Sequence, residues 1–284
     1  MNCGVCGNLV SLYTENPEKN PVYNCKSCNL FIGGFSERAN NVKNRYKGDF
    51  WQEQNLEEMI RTDFKSKTGQ DYALAQQSMY SYCKKYLAGK KDILEIGAGT
   101  GVHLIMFDKM GFHVTGIEPD PRSTDFINQK LKHGHCINGF IEDLKIDEKF
   151  DVIFLYHAVE HIAKPDLLLM KCHNLLRDDG IIIIAVPDCE NPNVLRESIN
   201  NVYHLLHFSQ TSLKKLADKL GYGILSCDSF TRIPRDIRRM HKMMRKIHLT
   251  YFSKKIYPCY PLKHTTGKDG YEIRLILRKK ILTL

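Results

Sequence analysis

From residue 92 onward, short apolar runs alternate with stretches of helical period. Ile93–Ile96, Val114–Ile117, Val152–Tyr156 and Ile181–Val186 read as strands, and helices fit between them over 100–110, 121–132 and 165–177. Continuous apolar strands separated by helices predict an α/β fold whose parallel sheet is covered on both faces. Asp179-Gly180 reads as the turn into Ile181–Ile184, the run best suited to the centre of the sheet. Further on, Ser212–Leu220 reads as a helix ended by Gly221, and Ile224–Asp228 and Tyr271–Leu277 as two later strands. Ahead of this pattern the texture differs. Residues 1–34 carry short β-like runs among Cys, Gly and Asn, and residues 35–50 are a polar linker. Residues 51–90 look helical, with Leu74, Met79, Tyr82 and Tyr86 at apolar positions. The expected organisation is a small module over 1–34, a linker and helical lid over 35–90, and an α/β domain over 91–284.

Composition sharpens this picture in two places. The 284-residue chain is 43% hydrophobic, enough for an ordinary buried core. No run of 18 uninterrupted apolar residues occurs, which argues against a membrane span, and the chain opens on Met1-Asn2-Cys3 without an apolar signal core. A cytoplasmic protein is expected. The formal charge of +9 is concentrated, because between Arg232 and Lys255 nine Lys or Arg stand against one acid, Asp236. Within that segment Ile233, Ile237, Met240, Met244, Ile247 and Tyr251 form one apolar stripe at helical spacing. A basic helical insertion over about 232–258 is expected. Packing on the core, contact with anionic lipid or a lipid-linked glycan, and nucleic-acid binding all fit it, the last least well because the rest of the chain is near neutral.

Ten cysteines are present, and four form two C-x-x-C pairs, Cys3/Cys6 and Cys25/Cys28. Two such knuckles can offer four thiolates to one ion in a closed tetrahedral site, which suits a structural Zn²⁺ and leaves no open catalytic position. A segment this short cannot bury enough apolar surface to fold alone, so the metal would supply folding free energy. The remaining cysteines, Cys83, Cys136, Cys172, Cys189, Cys227 and Cys259, are scattered singly, as expected of reduced thiols.

The first strand of the α/β region runs into Glu95-Ile96-Gly97-Ala98-Gly99-Thr100-Gly101 and then a helix. Glycines there allow a sharp turn and close approach of a ligand to the backbone. A dinucleotide fingerprint needs Gly or Ala three positions after Gly99, where this chain has Val102. The second strand ends at Glu118-Pro119-Asp120, placing an acid where ribose hydroxyls can donate to it. Taken with Gly139–Leu144, Phe150–Ile162 and Leu175–Val186, these stretches resemble the class I S-adenosylmethionine-dependent methyltransferases over roughly residues 90–230. The resemblance implies a doubly wound, Rossmann-like α/β fold with a seven-stranded, mostly parallel sheet and S-adenosyl-L-methionine as cofactor. It further implies that Glu95, Gly97, Ala98, Gly99 and Gly101 line the methionine part, that Glu118 and Pro119 meet the ribose, that Ile141 and Glu142 flank the adenine, and that Tyr156 is a further cofactor-binding residue. Family members often carry Asp where this chain has Phe140.

Methyl transfer asks the protein mainly to position the acceptor and exclude water, with a base nearby if a hydroxyl must lose its proton. Ligands of open α/β sheets bind beyond the strands' carboxyl ends. There the fourth strand reads Tyr156-His157-Ala158-Val159-Glu160-His161, so His157, Glu160 and His161 can converge as a base with its orienting carboxylate or as a weak divalent-ion site. This stretch resembles the ubiquinone-type O-methyltransferases and their sugar-modifying relatives, some of which carry Glu in place of His157. In Tyr203-His204-Leu205-Leu206-His207-Phe208-Ser209, His207 is a candidate to face the pocket and Ser209 an N-cap. Tyr46–Trp51 resembles an aromatic lid. The layout resembles zinc-ribbon methyltransferases of surface-polysaccharide and natural-product pathways, which implies methylation of a small molecule or glycan, at oxygen. Two rivals stand beside it: an RNA methyltransferase carrying a zinc ribbon, and a non-catalytic cofactor-binding protein.

Overall fold

The computed structural model describes residues 1–33, 76–231, 263–264 and 269–280. The Tyr46–Trp51 lid and the whole of the basic insertion over about 232–258 therefore lie outside the described residues. Of the expected 51–90 helical region, residues 76–83 are helical within them.

The main sheet is built by β4 (Asp92–Ile96), β5 (His113–Glu118), β6 (Gly134–Asn138), β7 (Phe150–Tyr156), β8 (Leu176–Pro187), β10 (Gly223–Phe230), β11 (Lys263–His264) and β12 (Glu272–Arg278). Their order is β11-β10-β12-β8-β7-β4-β5-β6. The pairs among β8, β7, β4, β5 and β6 are parallel, and β12 runs antiparallel to both β8 and β10. This is the expected seven-stranded, mostly parallel sheet, with the two-residue β11 added at one edge. Helices α1 (Val102–Lys109), α2 (Pro121–Asn128), α3 (Pro165–Leu175), α4 (Pro192–Asn200) and α5 (Gln210–Lys219) alternate with the strands. The chain builds outward from β4 to β6 and then returns to the other side of β4 as β7. Such a reversal opens a crevice at the strands' carboxyl ends.

Side-chain alternation explains why both faces are covered. Along β7, Val152 and Phe154 join one core cluster with Ile93, Phe107 and Met79, while Ile153 and Leu155 join the other with Leu169, Leu216 and Tyr222. Each such fully buried side chain contributes about 1.5–3 kcal/mol. β6 was not among the expected strands. It is a polar edge with Cys136 as its buried residue, so it carries little apolar pattern. Asp179-Gly180, expected as a turn, lies inside β8 at a bulge, where the register passes from Phe150↔Leu176 to Val152↔Ile181.

At the N-terminus, β1 (Ser11–Glu15), β2 (Pro21–Cys25) and β3 (Leu30–Gly33) form an antiparallel ribbon. A fourth strand, β9 (Leu206–His207), comes from the α/β domain and pairs with β3, Phe31 opposite His207 and Ile32 opposite Leu206. Gly33 N–H donates to the Leu205 carbonyl, Ser209 Oγ to Cys28, Lys215 Nζ to Ser27 and Lys219 Nζ to Gly4. The ribbon is therefore stitched to the segment that follows α4. No helix among the described residues is long and apolar enough to cross a membrane.

Candidate active site

At the carboxyl end of β4 the backbone turns through Gly97, Gly99 and Gly101, with φ of 73°, 57° and 76°. Those left-handed values favour glycine. A Cβ on Gly101 would stand 2.6 Å from Ile127 Cγ1, and one on Gly97 would stand 3.0 Å from Ala158 Cβ. Gly97 and Ala98 donate their N–H groups to the Ile117 carbonyl at 2.8 and 3.1 Å, laying the turn over the end of β5. Glu118 then ties the turn down: its Oε2 accepts from Gly99 N–H at 2.7 Å and its Oε1 from Asp120 N–H at 3.0 Å. Burial pushes the Glu118 carboxyl up to about 7, against the pull of those two donors, and the Asp120 carboxylate adds to the rise. Glu95 is buried, and its Oε2 has no hydrogen-bond partner. Burial, with the nearby Glu118, holds its carboxyl well above the usual range. Pro119 follows Glu118, and Asp120 caps α2 by accepting from Ser123 N–H at 2.7 Å. Beyond β6, Ile141 is buried and Glu142 is exposed. Lys171 Nζ fastens that loop by donating to the carbonyls of Ile141 and Leu144.

The neighbouring strand end carries Tyr156 and His157. His157 has φ of 51°, a costly conformation for a side-chain-bearing residue, and its N–H is held by the Ala185 carbonyl at 2.9 Å. Its Nδ1 donates to Glu160 Oε1 at 3.1 Å and its Nε2 to Glu272 Oε2 at 3.0 Å. The same Glu272 oxygen accepts from Tyr156 Oη at 3.0 Å, and Glu272 Oε1 pairs with Arg274 Nε at 2.5 Å. Burial favours the neutral ring, but the bonds and charges of Glu160 and Glu272 outweigh it and push the His157 imidazole well above its usual range. In return Glu160 is pulled down to about 2 despite its burial. Glu272 is held low as well, against its burial, by Arg274 and His157.

His161 adjoins this clamp beside Glu160, and His207 lies on β9. His161 Nδ1 donates to the Tyr203 carbonyl at 3.0 Å, and its ring packs edge-on against His204 at 4.8 Å. Ser198 Oγ lies 2.8 Å from His204 Nδ1 and 2.7 Å from His207 Nδ1. His207 was expected as a pocket residue. It is buried on β9, with Ser198 of α4 within hydrogen-bond distance, and β9 serves as the ribbon's fourth strand. Glu160, His161 and His204 offer atoms within 4.8 Å of one another. Both nitrogens of His204 have neighbours, Ser198 Oγ and Asn201 Nδ2 at 3.0 Å, so the group forms a hydrogen-bonded network in this structure.

The four N-terminal cysteines do converge. Cys3 and Cys28 Sγ are 3.6 Å apart, Cys6 and Cys25 Sγ are 3.4 Å apart, and all four lie within 4.8 Å of one another as free thiols. Gly7 and Asn29 each follow the second cysteine of a pair, and both adopt positive φ, 76° and 55°. The two knuckles therefore turn alike.

The profile of the methyltransferase domain family matches residues 70–226, more than half of the chain. The chain belongs to that family. The matched stretch runs from the helix before β4 into β10, so it contains the glycine turn, Glu118 and the His157–His161 stretch. Within the class I S-adenosylmethionine-dependent methyltransferases, two curated relatives are ubiquinone biosynthesis O-methyltransferases. That of Nitrobacter winogradskyi is 29% identical over 100 residues, covering 34% of this chain and 38% of the relative. That of Glaesserella parasuis is 30% identical over 109 residues, covering 35% and 46%. The chain thus spans less than half the length of these relatives. Among solved structures, an S-adenosylmethionine-dependent methyltransferase from Archaeoglobus fulgidus superposes with a TM-score of 0.54 at 17% identity, covering 79% of this chain and all of that one. The plantazolicin methyltransferase BamL, solved in complex with a triazolic desmethylPZN analog and SAH, gives 0.53 at 15%, covering 86% and 98%. At such identities these likenesses show the fold.

Glu272 and Arg274 were not among the expected site residues of this methyltransferase domain. They lie beyond the matched stretch, inside a run that reads simply as the last strand. The available signal was the alternation of Glu272 and Arg274 with Ile273 and Leu275 at the start of a strand that continues through buried Ile276 and Leu277 to the terminal Arg278.

Proposed function

We propose that the protein transfers a methyl group from S-adenosyl-L-methionine to an oxygen of a small-molecule acceptor, sugars included. The carrying observation is the cradle at the tips of β4 and β5. Three left-handed glycines leave the backbone bare there, Glu118 has both oxygens anchored by backbone donors yet keeps a lone pair on each, and Glu95 buries an oxygen without a partner. A cationic nucleoside fits that donor set: Glu95, Gly97, Ala98, Gly99 and Gly101 would hold its amino-acid part, Glu118 and Pro119 its ribose, and Ile141, Glu142 and Tyr156 the remaining wall. The dinucleotide alternative is disfavoured by the bulk of Val102 and by Glu95, the acid that leads into the glycines. Bound there, S-adenosylmethionine supplies an already activated methyl group.

The protein's own work is to place an acceptor oxygen in line and keep water out, which can contribute several kcal/mol to lowering the barrier. His157, Glu160 and His161 stand at the adjoining strand end. The oxygen preference rests on the names of the curated relatives, which match less than half of their length. We further assign a structural Zn²⁺ to Cys3, Cys6, Cys25 and Cys28. Sulfurs bound at about 2.3 Å in a tetrahedron lie about 3.8 Å apart, close to the observed spacings. Calorimetry with S-adenosylmethionine, followed by assay of S-adenosylhomocysteine formation across phenols, carboxylic acids and sugars, tests the reading. Tight binding with turnover of a hydroxylated acceptor supports it, whereas no binding would end it.

A further inference from the structure

We propose that Glu272, braced by Arg274, is a positioning residue for His157: it fixes the imidazole at the rim of the cleft and, together with Glu160, occupies both ring nitrogens, so that the ring forms a fixed electropositive wall and does not take a proton from the acceptor. This inference rests on the methyltransferase reading for its kinetic consequences and on geometry alone for the clamp.

The observations are these. His157 is the one residue of the clamp with substantial exposure, its side chain being 31% exposed against 1% for Glu160 and 7% for Glu272. Its backbone is in a left-handed conformation that side-chain-bearing residues avoid, so something must hold it there. Glu272 is the first residue of β12, which runs antiparallel to β8. Its register partner is Pro187, so it reaches the carboxyl ends of the parallel strands from the far side. One oxygen of Glu272 receives both Tyr156 Oη and His157 Nε2, and the other receives Arg274 Nε. Arg274 is itself buried, its guanidinium stacked 4.4 Å from the Phe230 ring centre, so the carboxylate cannot swing away without leaving a charge unpaired in the interior. The groups facing His157 come from three elements. Tyr156, Glu160 and His161 lie on its own strand end, Glu272 and Arg274 on β12, and His103 on α1. Burial pushes His103 down to about 3, which keeps it neutral. The balance around the ring is therefore two carboxylates against one guanidinium, and the imidazolium completes it. A ring with both N–H groups donated has no lone pair for an incoming proton.

The test uses the full-length wild-type protein and Glu272→Gln. In ¹⁵N-histidine spectra of the wild type, His157 should remain doubly protonated through pH 8. In Glu272→Gln its titration should move down toward that of an ordinary histidine. The same variant should lower kcat roughly 10- to 100-fold, as misplacement of a positioning group does, with affinity for S-adenosylhomocysteine little changed. The rate of the variant should also acquire a dependence on pH near neutrality that the wild type lacks. Glu272→Asp, which restores the charge, should recover part of the titration shift. A wild-type His157 that titrates near its ordinary value overturns the proposal, and so does a Glu272→Gln protein with unaltered titration and kcat. If Glu272→Gln fails to fold, the wild-type titration decides alone. Absence of cofactor binding by the wild type would instead count against the methyltransferase reading and leave the clamp to the spectra.

Discussion

Replacing Glu118 with glutamine isolates the contribution of one carboxylate to the cofactor cradle. An ionised carboxylate offers about four lone-pair positions, and here two are spent on Gly99 and Asp120 N–H. Two remain, one on each oxygen, which is the number needed for a ribose diol. Hydrogen bonds to a charged group contribute about 1.5–3 kcal/mol each. Glutamine keeps one accepting oxygen and turns an NH₂ toward a backbone donor or a hydroxyl. One charge-assisted bond is lost and the other weakened, at about 2–4 kcal/mol, or roughly a 30- to 700-fold rise in Kd. Isothermal titration of wild type and Glu118→Gln with S-adenosylhomocysteine measures it. Thermal unfolding of both serves as a control, since the orphaned Gly99 or Asp120 N–H also costs about 1–3 kcal/mol. A folded variant whose Kd stays within about threefold of wild type would show that Glu118 is a structural tie and that the ribose lies elsewhere.

Three further outcomes follow from the same geometry. Because the Glu118 carboxyl is pushed up to about 7 in the empty protein, cofactor affinity should fall up to about tenfold per pH unit below that value and level off above it. Calorimetry in buffers of different ionisation enthalpy should then show proton release near pH 6.5, and a pH-independent Kd would contradict the role. The linked effect on folding has the opposite sign. Between its unfolded value near 4.5 and about 7 the native state keeps a proton the unfolded chain has released, so this group's contribution to stability is lost as pH rises through that window. Gly101→Ala forces a Cβ against Ile127 in a left-handed turn and should cost about 2 kcal/mol, lowering Tm by roughly 4–8 °C; an unchanged Tm would mean the turn relaxes freely. Removing the ribbon metal with a chelator, or mutating Cys25→Ser, should lower Tm and speed amide exchange at Leu206 and His207, since β9 pairs with β3. Exchange unaltered at those two amides would show that the ribbon and β9 open independently.

The α/β core was readable because β7 and the Ile181–Val186 part of β8 are buried on both faces and stand out as unbroken apolar runs, and β4 and β5 as apolar runs interrupted only by Glu95 and by Thr115-Gly116. β6 was not, since an edge strand of Gly, His and Asn has no such run, and its pairing is dictated by β5. The cofactor cradle is local in sequence: Glu95 to Gly101 and Glu118 to Asp120 sit at two strand tips, and the topology brings neighbouring tips together. The cysteine pairs were readable for a similar reason, because spacing alone makes each knuckle. The proposed acceptor side was only half legible. His157 and Glu160 share one turn of chain, but their charge partners Glu272 and Arg274 come from more than a hundred residues away. For His207, a His-Phe-Ser stretch before a helix does not show that its strand completes a separate sheet. The N-cap within that stretch was right, Ser209 accepting from Ser212 N–H in a capping box.

The most direct measurement is a crystal structure of the protein with S-adenosylhomocysteine. The account predicts the nucleoside across the tips of β4 and β5, its ribose hydroxyls donating to Glu118 and its amino-acid end against Gly97–Gly99 beside Glu95. A ligand seated elsewhere, or a crevice that stays closed at saturating concentration with Glu118 bound to Gly99 and Asp120 alone, would contradict it.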